Sequence, residues 1–229
     1  MRETEILKRI YPSIVTWGAD WRQAIEDIKN LKLKEVALFL TGVNQSERQE
    51  IYRLLQRTSV KRIPHVHAKG EMSSSEFEFL IKHYKTRAFT IHYQYWQKFR
   101  KTKFRKKLFI EINDGDHRIR KIDNLKYFGG VCIDLSHYAE FKLSNPREFK
   151  VAQAAVQRYK VGCNHLSGLL ARGKSWHRVK TKKELDYVVE IPKKYFSRYI
   201  CLELQNSIRE QLVFKKYLAK VLSKAWNRK

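Results

Sequence analysis

Short apolar runs alternate with segments of helical spacing along the chain, with a period of about 28 residues. Each run is rich in apolar or β-branched residues and is bounded by Gly or polar residues, as is typical of a buried parallel strand. Eight such units predict an α/β fold, a compact single (β/α)8 TIM barrel formed by residues 1–229. A doubly wound open sheet is the alternative, but nothing in the chain resembles its Gly-rich phosphate loop. The runs occupy residues 12–18, 35–42, 62–68, 88–95, 107–113, 129–137, 160–168 and 198–206.

Helix starts are marked between these runs. A capping box pairs a Ser, Thr, Asp or Asn with a Glu or Gln three residues later, because each side chain accepts a hydrogen bond from a free backbone N–H of the first turn. Asn145 precedes Pro146 and Glu148, which is a further favourable start. The predicted boxes are Asp20 with Gln23, Ser75 with Glu78, Thr181 with Glu184, and Ser207 with Glu210.

The last four runs each lead into an acidic residue or a histidine. LFIE ends in Glu111, GGVCID in Asp134, VGCNH in His165 and YICLE in Glu203. Such a side chain is costly in a core, and the ends of parallel strands converge on one face of a barrel. Two Glu, one Asp and one His at one place need a counter-charge, and a divalent cation is the simplest one. The pattern therefore predicts a metal site at this face.

Histidines are concentrated at the same face. Six of the eight histidines lie at strand ends or in the loops that follow them, whereas His83 clearly falls on a helix. A single such histidine is more often an ordinary hydrogen-bonded core residue, so the metal interpretation depends on their grouping with the carboxylates. The six are His65, His67, His92, His137, His165 and His177.

The formal net charge of +25 indicates anionic partners such as nucleic acid or phosphorylated metabolites. Much of this charge falls in residues 98–107, 180–184 and 215–229, which are predicted to be outer helices or their ends. Solvated helix faces commonly carry such charge, so the charge alone does not establish nucleic-acid binding.

Cysteine usage and hydropathy indicate a cytoplasmic protein. Cys132, Cys163 and Cys201 lie inside predicted strands without metal-like spacing, and we interpret them as small buried hydrophobic residues in a reducing compartment. The chain has no run of about 18 apolar residues, and its N-terminus lacks the apolar core of a signal peptide, so we expect no membrane association. The sequence does not indicate an oligomeric state.

The segments GVCIDLSH, NHLSG and LELQN resemble the xylose-isomerase-like TIM-barrel superfamily, and the resemblance extends over nearly the whole chain. That superfamily includes sugar and sugar-phosphate isomerases and epimerases, and also the endonuclease IV family of abasic-site endonucleases. The resemblance implies one divalent ion, Mn²⁺, Zn²⁺, Mg²⁺ or Co²⁺, held by Glu111, Asp134, His165 and Glu203.

The favoured hypothesis is a sugar or sugar-phosphate isomerase or epimerase. The ion would act as a Lewis acid toward a hydroxy-carbonyl sugar and stabilise its enediolate, while Glu111 and Glu203 move the proton. His137 would assist this chemistry and hydrogen-bond the sugar together with His92. The remaining substrate-binding candidates are His177, Arg178 and Trp17.

The alternative hypothesis is an endonuclease IV-like phosphodiesterase with two or three zinc ions. The resemblance implies a second ion held by His65 or His67 with His92, and bridged to the first by Glu111. His137 and His177 match ligands of a third ion, but Ser175 stands where those endonucleases have an Asp. The loop AKGEMSSS also lacks the bulky apolar residues expected to wedge into a duplex. A non-catalytic or oxidative iron protein is a third hypothesis that no sequence feature favours.

Overall fold

The computed structural model describes residues 1–112, 119 and 121–227, and it confirms the predicted barrel of parallel strands. Each strand pairs in parallel with its neighbours along the chain, so all their carboxyl ends meet at one mouth. The predicted end of the fifth strand, Asn113, lies outside the described residues. The strands are β1 (Ile10–Tyr11 and Ser13–Val15), β2 (Ala37–Phe39), β3 (His65–His67), β4 (Ala88–Ile91), β5 (Leu108–Ile112), β6 (Gly130–Asp134), β7 (Val161–Leu166) and β8 (Ile200–Leu202).

The first strand closes the barrel although Pro12 interrupts it. Its first half pairs with β8 and its second half pairs with β2. A proline has no N–H to donate to a strand ladder, so a change of partner at this residue loses little. The buried Gln211 side chain accepts a hydrogen bond from the Ser13 N–H at 2.7 Å and donates one to the Ser13 carbonyl at 3.0 Å. These bonds tie the interrupted strand to the last helix.

The helices are less regular than the predicted alternation. After β4 the α-helix has four residues, after β5 the described residues form the 3-10 helix Ile122–Tyr127, and after β7 they form Lys182–Glu190 and Lys193–Tyr195. Among the described residues, these three units therefore lack the full α-helix that the alternation predicts. The α-helices are α1 (Glu3–Leu7), α2 (Trp21–Asn30), α3 (Gln45–Leu55), α4 (Ser74–Tyr84), α5 (Trp96–Phe99), α6 (Leu135–Ser144), α7 (Pro146–Arg158) and α8 (Ile208–Asn227).

The segment Lys182–Glu190 shows why the helical period changes. Its buried residues, Leu185 and Val188, are three positions apart, which matches the three residues per turn of a 3-10 helix. Pro192 follows after Ile191 and cannot continue a helix. The short apolar stripe and the proline together favour the tighter helix.

Four of the predicted helix starts are confirmed, at Asp20, Asn145, Thr181 and Ser207. The prediction that Ser75 caps α4 is wrong, because Ser73 forms the capping box with Glu76. Ser73 to Ser75 are all serine, so local sequence does not fix which one caps the helix.

A buried ion pair between α3 and α4 determines which serine caps α4. Arg48 and Glu76 are 1% and 4% exposed, and the Arg48 Nε lies 2.8 Å from the Glu76 Oε1. The Tyr52 hydroxyl donates to the same oxygen at 3.2 Å. Arg48 also donates to the Glu71 carboxylate at 2.9 Å and to the Val43 carbonyl at 3.3 Å. The guanidinium therefore links the loops that follow β2 and β3.

Small residues on neighbouring strands leave room for Phe109 inside the barrel. A Cβ on Gly162 would overlap the Phe109 ring. Cys132 and Cys163 pack against this ring, and all three cysteines are free and buried, as predicted. Among the described residues, no helix is long and apolar enough to cross a membrane.

Candidate metal centre

Four strand-end side chains converge at the mouth of the barrel. Glu111 lies in β5, Asp134 ends β6, His165 lies in β7 and Glu203 follows β8. One ligand atom from each of them lies within 4.8 Å of the ligand atoms of the other three, and all four side chains are buried. Parallel register explains this, because Asp134 is directly paired with His165 across β6 and β7. The structure thus brings the predicted quartet together.

His165 stands between the two glutamates of the quartet. Its Nδ1 lies 2.7 Å from the Glu111 Oε1 and 3.5 Å from the Glu203 Oε2. Asp134 is oriented differently, because its Oδ1 accepts hydrogen bonds from the N–H groups of Ser136 and His137, both at 2.9 Å. These bonds cap α6 and hold the Asp134 carboxylate at the mouth.

Two further histidines approach Glu111 from the opposite side. The Nε2 atoms of His67 and His92 each lie 3.3 Å from the Glu111 Oε2. Glu111 therefore has one oxygen toward His165 and the other toward His67 and His92. His65, the other candidate on β3, lies deeper in the barrel, where its Nε2 is 2.8 Å from the Thr90 hydroxyl.

Several buried polar atoms of this cluster have no hydrogen-bond partner. They include the His165 Nε2, and also the His67 Nε2 and the Glu111 Oε2, which lie 3.3 Å apart without the geometry of a hydrogen bond. Buried polar atoms are nearly always hydrogen-bonded, and an unpaired one needs an explanation. A cation held by these lone pairs would satisfy them, so the donor set fits a divalent metal ion.

The pKa values of the two glutamates, Glu111 and Glu203, are shifted in opposite directions. Burial alone would raise the pKa of Glu111, but His165 and His67 together hold it well below its usual range. Burial, with the neighbouring Asp134 and Glu111 charges, raises the pKa of Glu203. Burial also lowers the pKa of His67 well below its usual value. For His165, the two glutamate charges outweigh burial and raise its pKa to about 10.

The rim beside the quartet carries His137 together with Glu140 and Ser175. The His137 Nδ1 lies 3.1 Å from the Ser175 hydroxyl and 3.3 Å from the Glu140 Oε2. Burial opposes the charged form, but Asp134, Glu140 and Glu203 raise the pKa of His137 to about 10. The hydrogen bond from His137 is the main reason that the pKa of Glu140 falls to about 2. This part of the rim is therefore an imidazolium–carboxylate pair.

The other predicted binding residues lie on the far side of Glu203. The His177 Nδ1 donates to the Glu203 carbonyl at 3.0 Å, and the His177 ring meets the edge of Trp17 at a centroid distance of 4.5 Å. Arg178 is exposed and lines a groove with Asp20 and Asn206 outside the quartet. The structure thus brings Trp17 and His177 to the mouth and places Arg178 beside it.

Sequence reasoning missed Glu140 and the grouping of Cys132 with histidines. Glu140 follows His137 by three positions on α6, and residues at that spacing share a helix face. One ligand atom each from His65, Cys132 and His165 also lie within 4.8 Å of one another. The alternation of inward-facing residues along β3, β6 and β7 could have placed these three side chains inside the barrel.

Comparisons with known proteins identify the fold. No protein-family model matches the chain, and no curated protein matches it. The chain is similar to a xylose isomerase domain protein from Alicyclobacillus acidocaldarius subsp. acidocaldarius, with a TM-score of 0.54, 12% sequence identity, and coverage of 95% of this chain and 100% of that chain. At this identity the similarity concerns the fold. The protein therefore has the fold of a xylose-isomerase-like TIM barrel, as its sequence motifs predict.

Proposed function

We propose that this protein is a divalent-metal-dependent enzyme that isomerises or epimerises a sugar or a sugar phosphate. The observation that carries the proposal is the buried quartet at the mouth, in which three carboxylates and one imidazole lie within 4.8 Å of one another. Active sites of TIM barrels lie at this face, because the βα loops and strand ends converge there. Burying three carboxylates together without a cation would cost a large amount of folding free energy.

Glu111, Asp134, His165 and Glu203 would hold the ion. Carboxylate oxygens and an imidazole suit Mn²⁺, Mg²⁺, Co²⁺ or Zn²⁺. When bound, such an ion polarises a carbonyl group and makes the neighbouring C–H bond more acidic. The Glu111 Oε2, which is buried and makes no hydrogen bond, supports this fit.

The two glutamates would divide the proton transfer between them. Environments that push the pKa values of two carboxyl groups apart are a common way to assign an acid and a base. The lowered pKa of Glu111 favours its ionised form, which can accept a proton from the substrate. Glu203 would return a proton to the adjacent carbon or to the opposite face.

The rim would bind the rest of the substrate. A protonated His137 donates hydrogen bonds to sugar oxygens, and its pairing with Glu140 keeps the ring oriented. The rings of Trp17 and His177 would form a wall beside Glu203. Arg178 lies at the exposed edge, where it can reach a terminal phosphate or hydroxyl group.

A phosphodiesterase with two metal ions is the second candidate, and the position of Glu111 favours it. Its two oxygens face different imidazoles, His165 on one side and His67 with His92 on the other. A carboxylate between two such sets can bridge two ions, which is the arrangement used to cleave phosphate esters. The basic charge would then bind the nucleic-acid backbone. Ser175, in contrast, supplies no carboxylate for a third ion.

Metal content measured together with activity tests both candidates. Protein purified without chelator should contain one ion per chain at the mouth, and should catalyse metal-dependent exchange of the α-hydrogen of a sugar or sugar phosphate with solvent deuterium. Glu203→Gln should lose both properties, whereas Glu26→Gln, which changes an exposed carboxylate of α2, should keep them. Stoichiometric metal in the Glu203 variant would overturn the proposal. Two ions at the mouth with chelator-sensitive cleavage of an abasic duplex would establish the second candidate instead.

A further inference from the structure

Directly beneath the mouth, the barrel interior contains a layer of histidine, cysteine and threonine side chains. His65, Thr90, Cys132, Cys163 and His165 point inward from β3, β4, β6 and β7, and each is fully buried. An apolar layer would normally fill this position in a barrel. Neither the proton transfer nor the substrate rim described above uses His65, Cys132 or Cys163.

Three of these residues form a compact donor set. One imidazole nitrogen from each of His65 and His165 and the Cys132 sulfur all lie within 4.8 Å of one another. Cys163 lies next to this set, since its sulfur is 3.3 Å from the Thr90 hydroxyl and it interacts with both His65 and Cys132. A second thiol is therefore within reach of the same point.

Hydrogen bonds leave one ring nitrogen of each histidine without a partner. The His65 Nε2 is 2.8 Å from the Thr90 hydroxyl, and the His65 Nδ1 is buried with no hydrogen-bond partner. The His165 Nδ1 lies 2.7 Å from the Glu111 Oε1, and the His165 Nε2 is likewise buried without a partner. Histidine ligands of metals typically use one nitrogen for the ion while the other is held by such a bond.

The chemistry of this donor set differs from that of the quartet. The mouth offers mainly carboxylate oxygens, which suit hard divalent ions. The layer below offers two imidazoles and a thiol with a second thiol beside it, and thiolate with imidazole selects Zn²⁺ or Cu⁺. His65, Cys132 and His165 are fully buried, so an ion held by them would be shielded from solvent.

We propose that His65, Cys132 and His165, with Cys163 adjacent, bind a thiophilic cation, Zn²⁺ or Cu⁺, in a second site beneath the mouth. His165 belongs to both sets: its Nδ1 faces the glutamates at the mouth and its Nε2 serves this site, so filling both sites displaces both ring protons and makes the imidazole a bridge. Binding displaces the proton of the Cys132 thiol, so that a thiolate neutralises part of the charge of the ion. Its other residues take no part in the proton transfer proposed at the mouth, and the site would stabilise the barrel by joining β3, β6 and β7.

Cobalt substitution provides the test, because a Co²⁺–thiolate bond gives a charge-transfer band in the near ultraviolet that oxygen and nitrogen ligands do not give. Metal-free protein titrated with Co²⁺ should develop this band with one equivalent of thiolate-bound ion. Cys132→Ser and His65→Gln should lose the band and bind one ion fewer. Cys201→Ser is the matched control, because Cys201 is equally buried on a neighbouring strand and lies outside the set, and it should keep the band.

X-ray absorption of the wild-type protein tests the site without relying on variants that fold. Zinc-loaded and Cu⁺-loaded samples should both show a sulfur ligand, at about 2.3 Å for zinc, and competition between the two ions identifies the preferred one. The proposal is overturned if saturating Co²⁺ produces no charge-transfer band, or if neither loaded sample shows a sulfur ligand. It is equally overturned if Cys132→Ser retains the band.

Discussion

Replacing Arg48 with Met removes the cation of the buried ion pair between α3 and α4 and leaves the Glu76 carboxylate behind it. Met preserves much of the length of the side chain, so the change removes mainly the charge and the hydrogen bonds. The pair is well shielded, since the two side chains are 1% and 4% exposed. We expect a large loss of stability.

The expected magnitude follows from this burial. Breaking a buried ion pair by removing one partner costs about 3–5 kcal/mol, because the other charge stays in a medium that solvates it poorly. For a protein of this size, each kcal/mol corresponds to about 2–4 °C in Tm, so the variant should melt roughly 6–20 °C lower. Glu71→Gln is the matched control, since its side chain is 54% exposed and such contacts contribute about 1 kcal/mol or less.

The pH dependence of the unfolding free energy gives an independent check on the contribution of the Arg48–Glu76 pair. In the folded wild type, burial alone would raise the pKa of Glu76, but Arg48 and the Ser73 backbone lower it. The pair therefore stabilises the fold above the unfolded pKa of glutamate, about 4.3, and this contribution is lost as pH falls through the lower folded value. Without Arg48, burial should raise the pKa of Glu76, so the deficit of the variant should be largest near neutral pH and shrink in acid.

Urea unfolding of the wild type, Arg48→Met and Glu71→Gln at neutral and acidic pH measures these differences. The double variant Arg48→Met/Glu76→Leu should recover most of the loss, apart from about 1 kcal/mol for the missing capping interaction. A deficit below about 1 kcal/mol at neutral pH, or equal deficits in Arg48→Met and Glu71→Gln, would refute the reasoning.

Three further predictions concern the site and the barrel core. Adding Mn²⁺ at about 100 times its Kd should stabilise the wild type by about 2.7 kcal/mol, roughly 5–11 °C in Tm by differential scanning fluorimetry, and Glu203→Gln should abolish this shift. His92→Ala should leave the metal content of a one-ion mouth unchanged while turnover falls, whereas a loss of one ion in elemental analysis would show a two-ion mouth. Gly162→Ala should lower the unfolding free energy by about 1–3 kcal/mol in urea titration, because its methyl group would overlap the Phe109 ring; an unchanged midpoint would show that the ring moves aside freely.

The barrel and the grouping of the quartet could be predicted because both depend on simple periodicity. Parallel strands place their ends at one face, so Glu111, Asp134, His165 and Glu203 had to approach one another once the strands were identified. His65 and His67 could not be told apart in this way. Both face inward, since they are two residues apart on a strand, and they differ only in depth, by about 6.6 Å. Depth depends on the stagger of the strands, which the sequence does not state.

The wrong prediction of the residue that caps α4 has a similar cause. Ser73 and Ser75 have the same local capping chemistry, and the choice between them depends on Arg48, which lies 28 positions before its partner Glu76 in the sequence. The irregular helices after β4, β5 and β7 depend on which residues find a partner in the core, as Leu185 and Val188 illustrate. Local patterns leave such choices open because tertiary contacts decide them.

The closure of the barrel at Pro12 has a consequence for how the chain folds. Strands β2 to β8 each pair with a neighbour one unit away in sequence, but Gln211 reaches Ser13 across 198 positions. Contacts of such separation form late, because the entropy of closing the intervening chain is lost before they form. During synthesis on the ribosome, the growing sheet therefore keeps unpaired edges until β8 and α8 have emerged. Open edges of this kind promote association between chains. Translation rate and chaperone access should therefore influence the yield of this protein more strongly than its final stability would indicate.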